Sequence, residues 1–170
     1  MKTNKAKQVA YMAVFLALAL IFSYVEALLP LPFVVPGMKL GLPNIVIVVV
    51  LYLFGPVPAL VINILRVLLV GLLFTNVYSL AFSLFGAAFS FAAMWTVWKV
   101  FHGSPILVSV FGGLFHNTGQ IVAAILILQV FDAAYYLPVL LVAGFVTGFV
   151  IGLLAGLILP RLEVLLNSRR

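Results

Sequence analysis

The chain has no cysteine and only three acidic residues among its 170. The missing thiols exclude disulfide frameworks, zinc–thiolate sites and cysteine nucleophiles. The three acids, Glu26, Asp132 and Glu163, all lie more than four residues apart in sequence. Magnesium–diphosphate chemistry needs clustered carboxylates to hold the metal, so that chemistry is excluded too. Charge of either sign is scarce: 7% of residues are charged, where a soluble domain has about 25%. So few charges cannot cover a water-facing surface. No Walker A loop, GxSxG or HExxH pattern is present, which leaves no recognisable nucleotide or hydrolase site. There are two histidines, and His102 falls in a polar connection, so no metal-ligand set is expected. Nothing in the sequence implies a cofactor.

What is present is apolar. Hydrophobic residues make up 66% of the chain, and the mean hydropathy is +1.38. This is the composition of an integral membrane protein, here read as one transmembrane domain over residues 1–170. It leaves no room for a soluble catalytic or ATPase domain, and the chain is read as no enzyme. Lys2, Lys5 and Lys7 precede an apolar run of about twenty residues. That length suits a retained spanning helix better than the 7–15-residue core of a signal peptide.

Punctuation divides the chain into six apolar helices, at about 9–29, 43–54, 57–74, 78–98, 106–131 and 136–159. The second is short for a span, so 42–74 is also readable as a re-entrant pair. Pro43 suits a first helical turn, Gly55-Pro56-Val57-Pro58 is a break, Asp132 opens the last loop, and Pro160 is expected to end the sixth helix. The expected fold is an all-α bundle of six transmembrane helices.

With six spans both termini share a side. That side collects Lys2, Lys5, Lys7, Lys99, Arg161, Arg169 and Arg170, against Lys39 on the other. The bias predicts cytoplasmic termini. The net charge of +6 is then a topology and lipid-headgroup signal rather than a nucleic-acid patch. Trp95 and Trp98 fall at the cytoplasmic end of helix 4, as interfacial aromatics do.

A few polar residues sit where they are expensive. Arg66 is near the middle of helix 3, where arginine costs about 2.5–3.5 kcal/mol on insertion scales. It either binds an anionic substrate group or pairs structurally with Glu26, Asp132 or a carbonyl. His116 and Gln120 are four apart and share a helix face with Gly112, and Asn117 lies beside that face. The cluster is either a ligand pocket or interhelical hydrogen-bonding glue. Lys39, with Asn44 its nearest polar neighbour, lies in a Pro/Gly-rich stretch. It is a snorkelling lysine or part of a lid over an outward-facing pocket.

Small residues mark packing faces. Ala6, Ala10, Ala13 and Ala17 line helix 1. Gly144, Gly148, Gly152 and Gly156 recur every four residues on helix 6. Such faces let helices approach closely, within the bundle on helix 6 and equally against another membrane protein on helix 1. Ser79, Ser83, Ala87 and Phe91 share one face of helix 4, and Gly86 and Ser90 lie on another.

Four stretches resemble a known family. They are Gly37-Met38-Lys39-Leu40-Gly41-Leu42-Pro43-Asn44-Ile45 (where alanine is commoner than Pro43), Arg66, Ser83-Leu84-Phe85-Gly86-Ala87 with Ser90, and His116-Asn117-Thr118-Gly119-Gln120. Together they resemble the Gx transporter family, often labelled heptaprenyl diphosphate synthase component I. That family is grouped with the substrate-binding S components of energy-coupling factor transporters, and the likeness runs from about Ala10 to Pro160. It implies six helices, an outward-facing pocket and a first loop acting as a lid. It also implies that Ala13 and Ala17 meet a transmembrane coupling subunit, with two ATP-binding subunits supplying energy, in a prokaryotic plasma membrane.

The expected substrate contacts are Lys39, Asn44, Arg66, Ser83, His116, Asn117 and Gln120. Arg66, Lys39 and His116 suit an anionic or strongly polar small molecule, and some of the fifteen phenylalanines and six tyrosines are available to line a pocket for an aromatic ring. Two other readings stay open: a non-catalytic membrane anchor for a prenyl diphosphate synthase, and an autonomous small transporter or channel.

Overall fold

The computed structural model describes residues 5–28, 41–74 and 76–168. Six α-helices follow in order: α1 Lys5–Leu28, α2 Asn44–Phe54, α3 Pro56–Phe74, α4 Val77–Val100, α5 Pro105–Leu128 and α6 Leu137–Ser168. A 3-10 turn over Phe131–Tyr136 leads into α6. Five helices are long and apolar enough to cross a bilayer. The expected all-α membrane bundle is what forms.

The short second helix has a clear role. At 11 residues it is about 16 Å long, half the hydrocarbon thickness of about 30 Å. Val46 to Leu51 are buried at every consecutive position. A helix apolar all round is one enclosed by others, and α2 touches α1, α3, α5 and α6. It is the core of the bundle. Gly55, with φ 88°, is the sole residue between α2 and α3. That backbone angle favours glycine.

Glycines set the tightest packing. A Cβ on Gly144 would stand 2.7 Å from the Gly113 carbonyl oxygen, one on Gly148 2.7 Å from the Ser109 carbonyl oxygen, and one on Gly152 2.6 Å from the Ile106 Cα. So α6 lies directly on the α5 backbone. Gly156, the fourth of the series, has nothing within 4 Å. On the other side of α5, a Cβ on Gly119 would meet the Phe85 carbonyl oxygen at 2.7 Å. The pairs α4–α5 and α5–α6 are the most extensive in the bundle.

Three boundaries differ from the sequence reading by more than two residues. Helix α1 begins at Lys5. Helix α5 stops at Leu128, capped by Gln129 in the left-handed conformation with φ 55°. Helix α6 runs through Pro160 to Ser168. A proline ring clashes with the carbonyl one turn back, here that of Gly156. The ring costs α6 one backbone hydrogen bond, and the helix continues because Leu162 beyond it packs against the core.

Ring and hydrogen-bond contacts fix which ends meet. Tyr24 of α1 lies 5.8 Å from Phe74 of α3 between ring centres. At the opposite end Phe54 lies 6.1 Å from Tyr11 and 5.7 Å from Phe15, and the Tyr52 hydroxyl donates to the Gly103 carbonyl. Lys7, Lys99 and Arg161 therefore gather at that second end. Lys99 sits 5.2 Å over the Trp95 ring there, while Asp132 is exposed at the first end.

Candidate functional site

The polar cavity forms where the first three helices face α4 and α5. Ser23 and Glu26 lie one turn apart near the end of α1. The Glu26 carboxylate accepts a hydrogen bond from the Gly41 backbone N–H, which ties the start of the α2 segment to α1. Gly41 itself has φ 82°, a turn conformation glycine adopts freely. Asn44, the first residue of α2, is buried beside it.

Arg66 is buried on α3 at 8% exposure. Its Nη2 donates to Asn63 Oδ1 at 2.9 Å, an i, i+3 contact along one face. Its Nε has no hydrogen-bond partner among the described residues. Glu26 is the acid that acts on it electrostatically, whereas Asp132 is exposed. Of the three partners expected for Arg66, Glu26 is the one that shares its cavity.

His116 on α5 completes the wall, with Ser83 of α4. Gln120 Nε2 lies 3.0 Å from His116 Nε2. The direction of that hydrogen bond follows the imidazole tautomer. Gly86 makes room for the imidazole: a Cβ there would stand 2.8 Å from His116 Cε1.

The lining is Ser23, Glu26, Gly41, Asn44, Arg66, Val67, Val70, Ser83 and His116. Four of the expected contacts, Asn44, Arg66, Ser83 and His116, therefore come together. Asn117 does not join them. Its amide donates to the Leu140 carbonyl at 2.6 Å, bridging α5 to the first turn of α6. Gln120 stands behind His116 and outside the lining. Lys39 lies outside the described residues. Ala13 and Ala17 are both exposed on the outer face of α1.

Ser23 and Asn63 were missed in the sequence, and Glu26 was read only as a charge partner. Each belongs to a pair three residues apart, Ser23–Glu26 and Asn63–Arg66. Two such one-turn polar pairs in otherwise apolar helices were the available signal.

The free space amounts to about 20 Å³, room for about one water. The described lining carries one acid and one base and so no surplus charge. Arg66→Gln removes the cation that acts on the buried Glu26 carboxylate. The expected loss is about 3–5 kcal/mol, read as a lowered melting temperature in detergent. Replacing both, Glu26→Gln with Arg66→Gln, is expected to recover most of it. A double variant melting no higher than the single one would mean the two do not act as a pair.

The profile of the family described as heptaprenyl diphosphate synthase component I matches residues 15–158, most of the chain. The chain belongs to this family. The resemblance carried by the His116–Gln120 motif and the Gly37–Ile45 stretch is thereby borne out. No curated protein and no solved structure matches the chain. The component I description names part of a synthase, and the bundle is a membrane-embedded member of that family.

Proposed function

We propose that this component I family member is the substrate-binding subunit, or S component, of an energy-coupling factor type uptake transporter for a small vitamin- or cofactor-like molecule. The observation that carries the reading is the polar cavity between the first three helices and α4–α5, in a chain with no motif for obtaining energy. Binding is the task such a cavity can perform alone. Transport then needs partners: a transmembrane coupling subunit and two ATP-binding subunits. The exposed Ala13 and Ala17 on α1 supply a face for close helix contact with the coupling subunit. The gathering of Lys7, Lys99 and Arg161 at one end supports cytoplasmic termini in a prokaryotic plasma membrane.

Glu26 refines the substrate expectation. Its charge offsets Arg66, so the described lining favours a polar ligand with donors and acceptors over a purely anionic one. Arg66→Lys keeps the charge facing Glu26 but loses the planar, multi-donor geometry. The variant is expected to fold as wild type while substrate uptake weakens about tenfold, the worth of one hydrogen bond to a charged group. Unchanged uptake would remove Arg66 from the ligand's contacts.

The direct test is affinity purification of the tagged chain from native membranes in mild detergent, with mass spectrometry of what accompanies it. Recovery of a coupling subunit and two ATPases is the expected result. The family description favours one other reading, a non-catalytic anchor for a prenyl diphosphate synthase. Recovery of a soluble synthase without ATPases would establish that instead.

A further inference from the structure

The polar cavity has an apolar neighbour. A groove of about 460 Å³ runs between α3 and α4. Its walls include Leu60 and Ile64 of α3 and Leu84 and Phe89 of α4, all exposed on the bundle's outer face. Within a bilayer that face meets lipid. Val67 lines both the groove and the polar cavity. Asn63 is 2% exposed yet lines the groove, and its Oδ1 holds Arg66 at the cavity wall. One side chain and one hydrogen bond therefore stand between a small polar site and a long apolar one.

We infer that the ligand is an amphiphile, with a small uncharged polar head at Arg66 and Asn63 and an apolar chain in the α3–α4 groove. This rests on the cavity being the substrate site. Three observations select that chemistry. The free space of about 20 Å³ admits a hydroxyl or carbonyl, so the rest of the molecule lies outside it. Among the described residues the lining's one acid and one base balance, so they offer a charged head no net gain for leaving water. The buried Arg66 Nε–H has no partner among the described residues, and a buried donor left unsatisfied is costly until an acceptor arrives. The groove's volume then takes the rest of the molecule, and its opening toward lipid gives a chain-bearing ligand a lateral way in.

The test uses the full chain in lipid nanodiscs and two photoreactive probes. One is a dodecanol carrying a diazirine near the chain end, and the other is the same diazirine chain without the hydroxyl. The headless probe reports ordinary lipid contact. Labelling of α3 and α4 peptides is expected to favour the alcohol about tenfold, the ratio one hydrogen bond to a charged group is worth. Ala88→Phe fills the groove from its exposed wall and is expected to abolish labelling there by both probes. The paired variant Glu26→Gln, Arg66→Gln is expected to bring the alcohol down to the headless level.

Equal labelling by both probes in the unaltered chain overturns the inference, as does an alcohol preference that survives the paired variant. The outcomes separate from those for transport. Equal labelling in a chain that still recovers its coupling subunit removes the amphiphile alone. Head-dependent labelling of a chain recovered without ATPases removes the transporter reading alone.

Discussion

Gly144→Leu is expected to abolish the folded bundle, while Gly156→Leu on the same helix leaves it intact. The two glycines belong to one four-residue series and look alike in sequence. Their surroundings differ completely. A single carbon added at Gly144 would stand 2.7 Å from a backbone oxygen of α5 and 2.9 Å from the Asn117 amide. Neither can move aside: the oxygen belongs to a helix, and the amide is held by the Leu140 carbonyl. The helices must separate, and the gap opens along the whole α5–α6 contact. Overpacking a well-filled core by a few methylenes costs about 1–3 kcal/mol and more where backbone must shift. Leucine here also breaks the Asn117 bridge, so little folded protein should remain. At Gly156 nothing lies within 4 Å, and the effect should stay within about 0.5 kcal/mol. Yield of the monodisperse peak on size-exclusion chromatography and its melting temperature decide the matter. Equal behaviour of the two variants would refute the packing described for α5 and α6.

Tryptophan at both Ala13 and Ala17 is expected to leave the bundle folded and to reduce recovery of the coupling subunit to background. Both alanines are exposed, so the added rings point away from the core and stability should hold. Close helix–helix approach in a membrane depends on small side chains at the contact. Two indoles would hold a partner helix several ångströms away. The companion substitution on another exposed face, Val142→Trp on α6, should have no such effect. A coupling subunit recovered at wild-type yield with both tryptophans in place would remove α1 from the docking surface.

The fold was legible because hydrocarbon imposes simple rules. A run of about twenty apolar residues can only be a helix, so α1, α3, α4, α5 and α6 announce themselves. Proline and glycine mark most breaks between them. Pro160 misleads because its effect depends on what holds the chain beyond it, and no sequence states that Leu162 packs against the core. Helix α2 is ambiguous for a similar reason. Its apolar residues show no face, and only the packing reveals that it has no outside.

The site was half legible. Arg66 and His116 stand out because polar groups are rare in such helices, and Asn44 and Ser83 fell within the family's stretches. That these four line one cavity depends on how four different elements meet. Asn117 shares the motif with His116, but a helix turns 100° per residue or so, so it faces α6 instead, while Gln120 shares the His116 face one turn on and stands behind the ring. Glu26 was visible as a charge, yet its place beside Arg66 is a tertiary fact.

The glycine contacts also give the bundle two mechanical halves. Helices α5 and α6 meet through backbone along Gly144, Gly148 and Gly152, and α4 reaches the α5 backbone at Gly119. Helices α1 to α3 meet the rest through longer side chains, and α1 is largely uncovered. The polar cavity lies on the seam between a stiff half and a compliant one. Any opening that enlarges it must then be carried by α1–α3 swinging against a fixed wall. Spin labels placed across that seam should report a spread of distances, whereas a pair on α5 and α6 should report a single one.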